Sequence, residues 1–150
     1  YYDIISGGKE KVSVVYESHL SDSTFQELLS NSIDKDRVLT YTSKGIHKDD
    51  LIFEMNGNSI KKIGSQGQQK SFLVSLKLAQ INRIKELTGK SPILLLDDIF
   101  DKLDDTRVSQ LIELVNKESF GQIFITDTHK ERTENVVKRI HEESKIFEIS

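Results

Sequence analysis

The sequence predicts an α/β fold, a mostly parallel sheet with flanking helices, on three observations. Residues 93–96, "ILLL", are apolar at every position, the pattern of a central parallel strand covered on both faces. "QIFIT", residues 122–126, repeats that pattern. Between the two, Val108, Leu111, Ile112 and Val115 fall at i, i+3, i+4 and i+7, one face of a helix. Strand, helix, strand in this order is the signature of a layered sheet joined by right-handed crossovers.

The remaining elements follow in chain order. "VSVVY", residues 12–16, is a short β-branched strand introduced by the turn "SGGKE". Phe25, Leu28, Leu29 and Ile33 recur at helical spacing behind Ser and Asp caps. "LIFEM-NGN-SIKKI" is a hairpin, because Asn56-Gly57 supplies the positive φ that a tight turn needs. A long helix spans residues 68–87, with Leu73, Leu76, Ile84 and Leu87 along one side and Gly89 and Pro92 closing it. Val136, Val137 and Ile140 mark a last helix, and "KIFEIS" a last strand.

The 150 residues suffice for one domain with a real core. Acids outnumber bases, 24 against 21, for a net charge of -3, which argues against a strongly basic nucleic-acid-coating domain. Cysteine is absent, so disulfides, thiolate metal sites and cysteine nucleophiles are excluded, and a reducing setting fits. No apolar run reaches transmembrane length. The opening "YYDIISGGKEKVSVVYE" reads as mid-protein sequence. The expectation is a segment of a longer chain, with residues 1–63 forming a strand, a helical segment and a hairpin, and 64–150 the sheet and its helices.

Two stretches carry chemistry. "GSQGQQKS", residues 64–71, has the Gly64, Lys70 and Ser71 spacing of a P-loop, but Gln69 stands where the second glycine wraps the phosphates, and the segment before it, "SIKKIG", is polar. A P-loop is therefore rejected. Ser65 followed by Gln68 is a capping box at the start of the long helix, and Gly67 softens the backbone there. Such an end either caps a helix and nothing more, or presents N–H groups and a hydroxyl to an anion such as phosphate. The second stretch is "ILLLDDIFDKLD". A carboxylate at the tip of a buried parallel strand, here Asp97, is where Mg²⁺ is held, and a second carboxylate beside it, Asp98, is placed to polarise an attacking water. The bland alternative is a strand ending in a solvated acidic turn, with Asp104 or Asp105 capping the next helix. An EF-hand is a poorer match, since "DDIFDKLDD" lacks its central glycine.

"SQGQQKSFLVSLKLAQ", "PILLLDDIFDKLD" and "QIFITDTH", in this order, resemble the signature, Walker B, D-loop and switch segments of ABC-type ATPases, a class of P-loop NTPase. Within that superfamily the chain resembles the RecF family of bacterial recombination mediators. The signature reads "SQGQQ", the Walker B ends in Asp-Asp, and "GIHKDDL", residues 45–51, looks like the family's "GPHRDDL", with Ile46 in place of proline and Lys48 in place of arginine. Asp49 and Asp50 are read as capping or pairing residues.

The resemblance implies a DNA-repair ATPase that dimerises on ATP and acts on gapped DNA, cytoplasmic and with no membrane association. Ser65, Gln66, Gly67, Gln68 and Gln69 would meet ATP held by a second copy. Asp97 would hold Mg²⁺, and Asp98 would stand in the catalytic-base slot, a methylene shorter than the glutamate common elsewhere, so that hydrolysis is slow. Asp104 matches the D-loop aspartate, and Thr128 and His129 both stand in the switch. The implied partners are a second copy, DNA (gapped or at a single/double-strand junction) and the mediators RecR and RecO. Lys130, Arg132, Lys138 and Arg139 form a loose basic set that reads as a solvated helix face. Two alternatives stay open: part of another ABC-type head, SMC- or RecN-like, or a non-enzymatic interaction module. No G-x-x-x-x-G-K-[ST] occurs in the 150 residues. The chain on its own is accordingly expected to release no phosphate from ATP; turnover above background in a phosphate-release assay contradicts this.

Overall fold

The computed structural model describes residues 1–98, 101–117, 120–131, 133–135 and 144–148. They form two compact units, one of residues 1–11 with 64–150, the other of residues 12–63.

The first unit is built on a parallel strand pair. β4 (Ile93–Asp97) pairs with β5 (Gln122–Thr126) in register from Ile93↔Gln122 to Asp97↔Thr126. The connection between them is helix α5 (Asp105–Lys117). All four apolar positions of its predicted face, Val108, Leu111, Ile112 and Val115, are buried, joined by Leu114. Burying a side chain of this size contributes about 1.5–3 kcal/mol. Helix α4 (Gln66–Thr88) begins two residues before the expected start and ends on Gly89, whose φ of 67° no β-carbon-bearing residue adopts cheaply. A short helix α1 (Tyr2–Ser6), not anticipated in the sequence, ends in the Gly7-Gly8 turn and places Ile5 fully inside the core. Ile5, Leu78, Leu94, Leu96, Leu103 and the apolar face of α5 pack as one cluster.

Three expectations for this unit differ from the structure. β4 is covered on one face only: Leu94 and Leu96 are buried, while Ile93 and Leu95 are 61% and 71% exposed. The partner strand behaves alike, with Phe124 49% exposed. A continuous apolar run says that both faces can be buried, and the described residues supply a layer for one. On α4 the buried positions are Ser71, Phe72, Ser75 and Leu78, whereas Leu73, Ile84 and Leu87 of the predicted stripe are exposed. The serines sit in the core because each hydroxyl donates to the carbonyl one turn back, Ser71 to Gly67 and Ser75 to Ser71, both at 2.7 Å. The predicted last strand is absent from residues 144–148, which pair with no strand. Val136, Val137 and Ile140 of the predicted last helix lie outside the described residues.

The second unit is a three-stranded antiparallel sheet with one long helix. β1 (Val12–Glu17) pairs with β2 (Asp50–Met55), which turns through Asn56 (φ 50°) and Gly57 (φ 76°) into the two-residue β3 (Asn58–Ser59). The tight turn is as expected, but "IKKI" is not strand; residues 60–63 form a single helical turn, α3 (Ile60–Ile63). Helix α2 (Phe25–Leu39) starts on a full capping box between Thr24 and Glu27. Of its predicted apolar face, Leu28 and Leu29 are half-buried, while Phe25 and Ile33 are exposed.

One-sided coverage of β4 sets an expected contrast in chemical denaturation of this chain. Leu111→Ala, in the core at 1% exposure, should cost about 3 kcal/mol, and Leu95→Ala under about 1 kcal/mol. Equal losses would mean that β4 is buried on both faces.

Candidate functional site

The C-terminal ends of β4 and β5 gather the acidic residues singled out in the sequence. Because the two strands run in register, Asp97 and Thr126 end side by side, and the Thr126 hydroxyl donates to Asp97 Oδ1. Asp97 is exposed at the strand tip. Asp98 follows in the left-handed region at φ 44°, a conformation that aspartate tolerates better than most residues. Its N–H donates to the Thr126 carbonyl at 3.1 Å, and its own carbonyl accepts from Lys70 Nζ at 2.7 Å. A cleft of about 170 Å³ opens beside it, lined by Asp98, Asp101, Asp127, Thr128 and His129. Asp127 folds the second loop locally, accepting from the Thr128 N–H at 2.7 Å and from the Thr133 hydroxyl at 3.3 Å. The structure thus brings Asp97, Asp98, Thr128 and His129 to one edge.

Ser65 caps α4 with φ -62° and ψ 163°. Its hydroxyl accepts from the Gln68 N–H at 3.2 Å, and the Gln68 side chain accepts from the Ser65 N–H at 2.7 Å, the full capping box read from the sequence. Gln69 turns back to donate to the Gly64 carbonyl at 2.8 Å. Ser65, Gln66 and Gln69 are exposed; Gly67 and Gln68 are half-buried. Gly67 is required for a reason that motif spacing does not reveal. A β-carbon there would stand 2.9 Å from the Lys102 carbonyl, so the helix end packs directly on the turn after β4. Asp104 caps α5, its Oδ1 accepting from the Arg107 N–H at 2.9 Å.

Sequence reasoning missed the groups that connect these pieces. Glu10, in the segment after α1, accepts from Gln68 Nε2 at 2.7 Å, from Arg107 Nη2 at 2.9 Å and from the Tyr2 hydroxyl. The Arg107 fork also reaches Ser71 Oγ at 3.1 Å and Asp104 Oδ2 at 3.3 Å. Both ion-pair side chains are nearly buried, at 13% and 14% exposure. Burial alone would push the Glu10 carboxyl up. The hydrogen bonds from Gln68 and Tyr2 and the charge of Arg107 outweigh it and hold the group below its ordinary value. Burial, then the bond to Glu10, pushes the Tyr2 hydroxyl up to about 12. Only the i, i+3 pair of Asp104 and Arg107 is a local signal; nothing near Glu10 marks it as a partner of a residue 97 positions away.

In the second unit Asp49 accepts from the Tyr16 hydroxyl and Asp50 from the Leu51 N–H at 2.8 Å, pairing roles for both. Lys130 of the basic set pairs with Glu148 at 2.8 Å in an exposed contact; Arg132, Lys138 and Arg139 lie outside the described residues. No group of three or more metal-ligating side chains occurs among the described residues, and no described helix is long and apolar enough to cross a membrane.

No protein-family model matches the chain. Among curated proteins, it is 58% identical over 149 residues to the DNA replication and repair protein RecF of Flavobacterium johnsoniae, covering 99% of this chain and 42% of that protein. It is 51% identical over 150 residues to RecF of Porphyromonas gingivalis strain ATCC 33277, covering 99% and 41%. The chain therefore spans about two fifths of the length of the relatives it matches. Among solved structures, it superposes with a TM-score of 0.63 on a chain described as the recombination mediator protein RecF-ATPrS in the RecFOR pathway, at 30% identity over 85% of this chain and 36% of that one. A RecF-ATP structure matches equally, at 0.63 and 31%.

The depressed Glu10 carboxyl fixes a pH dependence. A carboxyl held below its ordinary 4.5 in the folded state adds stability that is complete above that pH and is lost as pH falls through the folded-state value. The stability gap between the wild-type chain and Glu10→Gln, measured by denaturant titration, should be widest near neutral pH and narrow below pH 4.5. A gap that does not change with pH contradicts this.

Proposed function

The chain belongs to the RecF family, and from that premise we propose that it is the C-terminal part of a RecF-type DNA-repair ATPase, contributing one half of each of two ATP sites in an ATP-dependent dimer. The observation that carries the reading is the shared edge of β4 and β5, where Asp97, Asp98, Thr128 and His129 converge while Ser65 caps a neighbouring helix end in the same unit.

In this scheme ATP lies between two copies. The Asp97 edge faces nucleotide bound by its own subunit, and the Ser65–Gln69 end of α4 faces nucleotide bound by the other. Mg²⁺ fits the donors present: Asp97 and Thr126 offer oxygen alone, and Mg²⁺ takes one or two carboxylates and completes its shell with phosphate and water. It supplies charge neutralisation of the phosphates when bound. Asp98 orients the attacking water and accepts its proton; Thr128 or His129 hydrogen-bonds the terminal phosphate. Ser65 Oγ and the N–H groups of the first turn of α4 stabilise charge on that phosphate at a positive helix end. Asp98 is a methylene shorter than glutamate, so water is held less well and turnover is slow, which suits a timer for residence on DNA. DNA, RecR and RecO are the partners this reading implies.

The test uses the full-length protein. Asp98→Asn should lower ATP turnover by at least about a hundredfold while leaving ATP binding and dimerisation in place, measured by phosphate release, nucleotide titration and sedimentation. Unchanged turnover removes Asp98 from the mechanism and the site with it.

A further inference from the structure

We propose that Glu10 is a positioning residue for the first turn of α4, acting through Gln68 and Arg107 to hold that turn and the start of α5 in one fixed arrangement. The inference rests on the reading of the Ser65–Gln69 end as the surface that meets a second copy's nucleotide.

Three facts carry it. First, the Gln68 side chain is engaged at both ends. Its oxygen accepts from the Ser65 N–H and its nitrogen donates to Glu10 Oε1, at 2.7 Å each. A capping box on an exposed helix end must fix a flexible glutamine against its rotamer entropy; here Glu10 fixes it from outside the helix. Second, one guanidinium ties Glu10 to both helices. Arg107 reaches Glu10, Ser71 one turn into α4, and Asp104, the cap of α5. Its planar fork sets directions that a lysine cannot reproduce. Third, the space is closed to drift, since Gly67 lies against the Lys102 carbonyl with no room for a β-carbon.

An ion pair largely shielded from water is a poor source of net stability, because desolvation of both charges offsets much of their attraction. What it provides is geometry. Removing Glu10 frees the Gln68 amide, leaves Arg107 without its buried counter-ion, and loosens the cap that presents Ser65. The nucleotide-facing residues of the same subunit, Asp97 and Asp98, do not touch Glu10, so the defect belongs to the site completed by the partner.

The test uses the full-length protein with Glu10→Ala and, where that variant does not fold, Glu10→Gln, which keeps an acceptor for Gln68. ATP affinity of the dilute monomer should stay within about twofold of wild type. Turnover of the Glu10→Ala homodimer should fall about tenfold to a hundredfold, the effect of a small misplacement at a reacting centre, and Glu10→Gln should recover part of it. The decisive measurement mixes Glu10→Ala with Asp98→Asn. In the mixed dimer an intact catalytic edge meets an intact first turn of α4, and turnover should return; a general loss of folding would not be repaired by mixing. Wild-type turnover in the Glu10→Ala homodimer, or no recovery in the mixture, overturns the inference while Asp98→Asn remains inactive and the proposed function stands. Full turnover by Asp98→Asn alone sinks both.

Discussion

The parallel register of β4 and β5 is the constraint on which the rest of the first unit depends. Parallel neighbours require a crossover, and a helix is the compact way to return the chain to the starting edge. The 13 residues of α5 rise about 20 Å, somewhat more than the roughly 16 Å climbed by each five-residue strand. The helix therefore runs the length of the pair and buries its apolar face along Leu94 and Leu96. With the strands level, both chains leave the sheet at the same edge. Asp97 meets Thr126 there as a consequence of topology, and the two following loops enclose one cleft.

The turn after β4 adopts unfavourable backbone geometry to reach that edge. Asp98 and Lys102 both have positive φ, 44° and 63°, at a cost on the order of 1 kcal/mol each. Several contacts hold them in place. Asp98 is bonded through its N–H to β5 and through its carbonyl to Lys70 of α4. Leu103, one residue beyond Lys102, is buried in the core. Gly67 closes on the Lys102 carbonyl from the other side. The turn is thus gripped by β5, by the core and by the first turns of α4. Lys70, which in the sequence falls at the lysine position of a phosphate loop, and Gly67, which softens the cap of α4, work as clamps on the turn that carries the acids.

How much of this was legible depends on the range of the interaction that decides each feature. The caps of α4, the Asn56-Gly57 turn and the buried face of α5 are set by residues within a few positions of one another, and the sequence displays them. The edge at Asp97 was legible because an apolar run followed by paired acids encodes a strand and its exposed end. The buried side of α4 was not. Hydrophobic periodicity points to Leu73, Ile84 and Leu87, yet the core takes Ser71 and Ser75, small residues whose hydroxyls are satisfied within the helix. Helix α1 and Glu10 were invisible for a different reason. Helix α1 packs its Ile5 into a core formed by residues from 78 onward, Glu10 makes its contacts 58 and 97 positions away, and nothing local announces either.

Those distant contacts change what the two motif groups are to each other. As sequence, "SQGQQ" and "LLLDD" are separate signals about 30 residues apart. As structure, the Lys70 bond to Asp98 and the Gly67–Lys102 contact join them, while the Arg107 fork holds the first turns of α4 to the start of α5. Packed interiors switch between discrete arrangements more readily than they deform. On the proposed reading, one copy's α4 end touches its partner's nucleotide while its Asp97 edge touches its own. Within one copy, the Lys70 bond to the Asp98 carbonyl and a glycine with no room for a side chain are the contacts that join those two edges.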